Sequence, residues 1–493
     1  MKKMTLFFLL FITILGFTQT NEWFCQYATF DDDVNGTGYQ TSSVATVGPN
    51  CFVALVISTP NSPTDIFDPS YNYLVGYWNA DSGSGRVPSP INGQQTVPQY
   101  ATSGQFTSWT YILDQVVLKG AWQLAGEPNG RIYVANNDLA HNILVFELTA
   151  SGVTSTEYRM ETGLENIYGI EVDTNGYVYV VDFEGSNSKA GEVKVYAGID
   201  APGTTWGIFG AHNDPPVTTI DLPPGIYQGI TINGDGSAIF ISATSERRIL
   251  KFVGSPTTGY TQDIGFNFVL SPDDTVGSGG SGTPSVLGMA FIPNPPLVCV
   301  AVDTFVHIGN SGGYPYGRIY FFHPGAGIPF DTIDVAAWNY ALTGSYSTGS
   351  NNGRCGGFTS IVDVDVEPTE PAVYSQTFYG WAVEKWVFDG DLGSVVNIRK
   401  INNQIPQAFA LKQNYPNPFN PITSIEFQIE QNEQVVLEIF NVRGQKVSTL
   451  INQQMPAGTY LVSFDAGSLP AGIYFYRLTA GSVSDIKKMT LVK

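Results

Sequence analysis

Positive charge is scarce in this chain. Its 493 residues carry 23 Lys and Arg against 43 Asp and Glu, a formal net charge of −20. A chain so short of cations cannot neutralise a row of phosphates, so nucleic acid is excluded as a partner. Long stretches with a 3.6-residue apolar period are missing too, which excludes a helical bundle. Beyond residue 17 no apolar run reaches the ~18 residues that a membrane span needs. The four histidines, His141, His212, His307 and His323, are scattered and form no HExxH or Cys/His zinc spacing. There are only four cysteines and no CxxC. In an exported protein they allow two disulfides in three connectivities, with Cys25 and Cys51 the expected pair. Cys299, inside the apolar run 297–302, suits a buried thiol as well as a bonded one.

What the chain does have is turn and sheet material. Gly 53, Pro 30, Tyr 26 and Phe 30 beside 13% charged residues point to an all-β fold rich in turns. At this length one hydrophobic core does not suffice, and two or more domains are expected. The start, MKKMTLFFLLFITILGFTQT, has Lys2 and Lys3, an apolar core from Leu6 to Phe17 and a polar end. This is the pattern of a secretory signal peptide over residues 1–20. The outward destination gives the acidity a plain reading, solubility, and a sharper one, cation binding.

The stretch IYGIEVDTNGYVYVVDFEGSNSKAGEVKVYAG (167–198) sets the pattern for most of the rest. It reads as three short strands, with Asn175-Gly176 supplying the positive φ angles of a hairpin turn. Related units recur at Val47–Thr59 with Tyr73–Asn79, Gly126–Asn137 with Asn142–Leu148, Gly229–Ser242 with Arg248–Gly254, Gly288–Asp303 with Arg318–Gly325, and Ser360–Pro368 with Val383–Gly390. Their third-strand aromatics, Tyr77, Phe146, Tyr196, Phe252, Phe322 and Phe388, fall 50 to 70 residues apart. One unit cannot bury both faces, so copies must pack on one another, and this spacing suits propeller blades. A six-bladed β-propeller over 21–394 is expected. The stray strand near 21–30 would pair into the last blade and remove an open edge.

The units resemble NHL-repeat and gluconolactonase-like propellers, in which turns such as DTNG or NGDG and a YVxD strand recur. In that family a Glu, Asn and Asp set at the channel holds calcium and serves lactone hydrolysis. Here Asn136, Asp182 and Asp303 are the positions that the resemblance offers as ligands. No Glu at the opening of the first blade matches the family's. Counting from the turn glycine, Asn136, Asp182 and Ser242 share a register, and Asp303 ends the equivalent strand of the fifth unit. The plain alternative is that such residues cap the following turn.

A second acidic group is Asp363, Asp365 and Glu367, which strand alternation places on one face, suiting either a hard cation or a wet channel wall. The loops 58–72 and 304–317 are long, and would make a ligand site lopsided. Gly309–Gly313 lacks the Asp of a protease nucleophile loop, and Gly277–Gly282 lacks the Lys-Ser/Thr of a phosphate loop, so both read as loops.

After a polar connector at 395–410 the composition changes. Residues 411–493 read as six or seven alternating strands, a small immunoglobulin-like β-sandwich. Tyr415-Pro416-Asn417-Pro418-Phe419, the IFNVRGQKV segment with Gly444, Gly472 and Tyr474 in AGIY, and terminal Lys487 and Lys488 resemble the type A C-terminal sorting domain of the type IX secretion system. That resemblance implies the secretion machinery as a partner and the outer cell surface or the medium as destination. The leading expectation is an exported propeller that binds a carbohydrate, peptide or small molecule without chemistry. A calcium-dependent lactonase and a passive surface scaffold are the alternatives, and calcium is the one cofactor in view.

Overall fold

The computed structural model describes residues 22–29, 39–49, 51–58, 72–77, 99–100, 105–107, 121–138, 141–149, 152–160, 167–182, 190–206, 214–270, 284–304, 317–325, 327, 329–335, 361–367, 372–377, 382–389, 392, 398–402, 406–455, 457–467 and 469–492. The signal peptide, the loops 59–71 and 305–316, the Gly-rich run 277–282, His212, His307 and Cys355 lie outside them. The fold is all-β, with a single 3-10 turn at Thr244–Glu246.

Six antiparallel sheets form the propeller. The innermost strands are Tyr39–Gly48, Leu124–Gly126, Ile167–Val172, Tyr227–Ile232, Pro284–Pro293 and Ile361–Val366. Each of them packs against the next, and the last packs against the first, so the ring is closed. The cores sit between consecutive blades. Tyr133, Ala135 and Val145 of the second blade, for example, bury Ile170, Val180 and Tyr196 of the third. This is how units with two apolar faces satisfy both.

The repeat turn differs from the expected one in its dihedrals. Only Gly176 takes positive φ, at 83°, and Asn175 does not. Asp173 Oδ1 accepts the backbone N–H groups of Asn175 and Tyr177, both at 2.9 Å, and so closes the turn from its side chain. Asp235 does the same for Ser237 in the fourth blade at 3.0 Å, with Gly236 at φ 72°.

The strand Glu22–Thr29 pairs antiparallel with Ala382–Asp389 as the fourth strand of the last blade. The N-terminus thereby covers the ring's final edge. Trp23 anchors it: its ring stacks on Phe321 at 4.6 Å, and its Nε1 donates to Asp331 Oδ2 at 2.9 Å. Cys25 and Cys299 are buried in that core, and Cys25, Cys51 and Cys299 are thiols. The expected Cys25–Cys51 disulfide is therefore not formed. Cys25 lies in the closing strand of the last blade and Cys51 opens the second strand of the first, so sequence proximity did not mean spatial proximity.

The C-terminal part is a sandwich of two four-stranded sheets. Its core holds Phe419, Ile425, Phe427, Leu437, Tyr476 and Met489, among others. Strand alternation is regular here, with Ile422–Ile429 burying every second residue. The segment expected as a connector contributes one strand, Ile398–Asn402, which pairs with Gly458–Asp465. Its two isoleucines, Ile398 and Ile401, stand three apart, so no period-two alternation marks it as a strand in the sequence.

Candidate functional site

The inner strands surround a channel, and toward their C-terminal ends it widens into a pocket of about 210 Å³. Glu171 of the third blade and Asp363 and Asp365 of the sixth face it, with Thr46, Thr231 and, from the fifth blade, Phe291. Among the described residues no Lys or Arg lines this pocket.

The acids are tied into the ring. Asp363 accepts from Ser43 Oγ, from Val44 N at 3.3 Å and from Gln123 Nε2 at 3.3 Å. Ser43 Oγ in turn accepts Leu124 N at 2.9 Å, and Gln123 Oε1 accepts Ile170 N at 3.1 Å. One polar belt thus runs from the sixth blade through the first and second to the third. Asp365 completes the seam between the sixth and first blades by accepting Thr46 N at 2.6 Å and Thr46 Oγ1 at 3.0 Å. Glu367 turns to its own blade: Tyr374 OH donates to it at 3.0 Å, and Lys385 Nζ lies at 3.9 Å.

Burial raises all three pocket carboxyls, and neighbouring acid charges add to the rise. Glu171 is pushed up to about 8 by desolvation and by the charges of Asp365 and Asp363. Asp363 is pushed up to about 7 by burial, against the pull of its Ser43 donor. Asp365 rises to about 6 by burial, against its donors Thr46 and Val366. The folded chain therefore keeps protons that an unfolded chain releases near pH 4. Their stabilising effect is complete below that pH and is lost as pH rises through about 6 to 8. Thermal unfolding is expected at a lower midpoint at pH 8.5 than at pH 5.5, by on the order of 5 °C. Glu171→Gln should shrink the difference; an equal or higher midpoint at pH 8.5 would refute the assignment.

The other sequence candidates lie elsewhere. Asp182 ends the second strand of the third blade, and Asn136 and Asp303 lie near the ends of those of the second and fifth, where Asp182 pairs with Ile167 and Asp303 with Ser285. These are the starts of the inner strands, so the three belong to the mouth opposite the pocket. Asn136 and Asp303 are fully buried, and Asp303 Oδ2 accepts Ile361 N of the next blade at 2.9 Å. The side chain of Asp182 lies outside the described residues. Among the described residues no three His, Cys, Asp or Glu converge to hold a metal. Sequence reasoning missed Glu171, Gln123, Ser43 and Thr46. Glu171 stands two residues before the turn aspartate Asp173 in the very stretch that defines the repeat, and its place on an inner strand was the available sign.

In the sandwich the motif residues act as a clasp on the last strand, Val483–Leu491. Phe419 is 1% exposed; its N–H donates to Thr490 O at 3.0 Å and its carbonyl accepts Val492 N at 2.9 Å. Asn417 Oδ1 accepts Thr490 N at 2.9 Å. Pro416 O accepts Thr423 Oγ1 at 2.8 Å, and Asn414 Nδ2 bonds the same threonine at 2.9 Å. The peptide bonds before Pro416 and Pro418 are cis. Tyr415 is 81% exposed. Gly444, at φ 73°, closes the turn with Asn441. Gly472 opens the strand in which Tyr474 OH donates to Pro470 O at 2.8 Å. Lys487 and Lys488 lie on the last strand, Lys487 3.7 Å from Asp485.

Fold and site together define a closed β-propeller carrying a C-terminal sandwich. Residues 413–492 match the secretion system C-terminal sorting domain, so the chain carries that domain, which marks it for export to the cell surface or for secretion. No curated protein matches the chain. Among solved structures it is similar to a Bacteroides thetaiotaomicron VPI-5482 protein of unknown function, at 11% identity and TM-score 0.41 over 75% of this chain and 72% of that one. It is also similar to a luciferin-regenerating enzyme, at 10% identity and TM-score 0.40 over 71% and 92%. The calcium-binding protein regucalcin of Agrobacterium tumefaciens is similar at 10% identity and TM-score 0.38 over 75% and 97%. No helix among the described residues is long and apolar enough to cross a membrane.

Proposed function

We propose that the type IX secretion machinery exports this chain through the sorting domain, and that the propeller of 21–394 binds a small organic amine in the channel pocket without chemistry. The observation that carries the reading is the pocket's lining: Glu171, Asp363, Asp365 and threonine hydroxyls, with no Lys or Arg among the described residues. Such a wall offers acceptors and asks for donors. A cationic ligand would also return the raised carboxyls to their charged form, since an opposite charge nearby favours ionisation. Phe291 and Met289, on the wall between these groups, suit the carbon part of an amine and its charge.

Calorimetry of the purified chain with putrescine at pH 7.5 tests this. Binding is expected, with uptake of ligand weakened about tenfold or more in Glu171→Gln, a loss of ~1.4 kcal/mol or more. Absence of heat with putrescine and with spermidine would refute the amine reading. Calcium chloride in the same cell, with Asp303→Asn as variant, tests the metal at the opposite mouth that the gluconolactonase-like resemblance raises.

A further inference from the structure

Five of the six inner strands share one irregularity. Their register slips near the start: between Thr41 and Ser43, Ile167 and Gly169, Tyr227 and Ile230, Val286 and Met289, and Ile361 and Asp363. Each slip leaves residues unpaired and re-aims a side chain. Four of the slipped residues, Ser42, Gln228, Leu287 and Val362, meet around one small cavity of about 10 Å³, joined by Gln123 and Asp363. Because they come from the first, fourth, fifth and sixth blades, with Gln123 from the second, the cavity lies on the ring axis. The strands are tight there: a Cβ on Gly288 would run into Asp363 Oδ1, and one on Gly229 into Leu287 O.

Ser42 is 2% exposed, and its Oγ meets no protein partner. An orphaned buried hydroxyl is costly unless something else bonds it. The volume is about that of a single water. We propose that this axial chamber binds one structural water, held by Ser42 Oγ and by the side chains of Gln228 and Asp363, and that it seals the channel. Water fits better than a metal cation. Asp363 already accepts from Ser43, Val44 and Gln123, and Gln123 turns its NH₂ toward that carboxylate. One end of the Gln228 amide meets Thr244 Oγ1 at 3.3 Å, a hydroxyl that also donates to Val286 O at 3.0 Å, which leaves the other end of the amide as the group to offer. Donor groups at the wall repel a cation and suit a water, which needs two to four polar partners. Gln123 and Asp363 line both this chamber and the larger pocket and stand between them. The chamber thereby adjoins the pocket along the channel.

A crystal structure of the full chain at about 1.5 Å resolution tests the site, since ordered waters are placed directly at that resolution. One peak of water height about 2.8 Å from Ser42 Oγ is expected, and it should vanish in Ser42→Val, whose methyl groups fill the space. In Ser42→Ala the peak should persist with weaker density. An empty chamber in the unmodified chain, or a peak with oxygen contacts of about 2.0–2.4 Å typical of a metal ion, overturns the proposal.

Discussion

Trp23→Ala is expected to lower the unfolding midpoint of the propeller by on the order of 10 °C, the equivalent of about 3–5 kcal/mol for a large side chain removed from a core. The size follows from how much one side chain does at the ring's closure. Trp23 is 8% exposed, stacks on Phe321 at 4.6 Å and meets Phe388 edge-on at 5.3 Å. It therefore joins the fifth blade to the sixth through a strand that comes from the other end of the chain. Its Nε1 also donates to Asp331, a carboxyl that burial already pushes up to about 6 and that the Trp23 bond pulls back down. Removing the indole leaves a cavity and takes a donor from a buried acid, two separate costs. Trp23→Phe separates them. It keeps most of the apolar contact and loses the hydrogen bond, so a smaller drop is expected. Because Asp331 then resists ionisation more strongly, that drop should grow as pH rises through 6. Thermal unfolding of the two variants at pH 5.5 and 8 measures both parts. A midpoint in Trp23→Ala within a degree of the unmodified chain would mean that the closing strand is dispensable to the ring.

That strand shows what the sequence made legible. The blade units, their aromatic third strands and the N-terminal closure are patterns of apolar spacing, and spacing follows from which face is buried. Phe146, Tyr196, Phe252, Phe322 and Phe388 are all buried on third strands, as their recurrence implied. The site was less legible for two physical reasons. Bulges insert a residue without changing composition, so the axial positions of Ser42 and Gln228 carry no mark in the sequence. Acids on one strand face read as a group by themselves until their neighbours are known; Asp363 and Asp365 give part of their lone pairs to Ser43, Val44 and Thr46 of a blade more than 300 residues away. Glu171 lies across the channel from them and couples to both, a relation that only ring closure creates. Asn136 and Asp303 lie near the ends of equivalent strands, and such a place is compatible with holding the next blade's backbone, as Asp303 does for Ile361.

The sorting domain carries the other large expectation: Phe419→Ala should cut export several-fold or more and leave the chain inside the cell envelope. Phe419 is the point where the motif meets the end of the chain. Its ring is buried in the sandwich core 6.3 Å from that of Phe464, and its backbone bonds Thr490 and Val492 on either side of the last strand's end. Truncation in such a core costs about 3–5 kcal/mol. A small domain has about 5–15 kcal/mol in all, so the variant sandwich spends far more time with its last strand detached, and Lys487 and Lys488 leave with that strand. Tyr415→Ala is the informative partner. The Tyr415 ring is 81% exposed and only its backbone pairs, with Ser424 in both directions at 2.9 Å. That substitution should leave the unfolding midpoint of the sandwich unchanged. Cell fractionation and melting of the purified chain then divide the roles. Export lost in Phe419→Ala with a lowered midpoint shows that secretion reads the folded clasp. Export lost in Tyr415→Ala at an unchanged midpoint assigns that ring to direct contact with the machinery. Normal export of Phe419→Ala despite a lowered midpoint would refute the dependence of sorting on this clasp and shift the recognised feature to the unfolded terminal sequence.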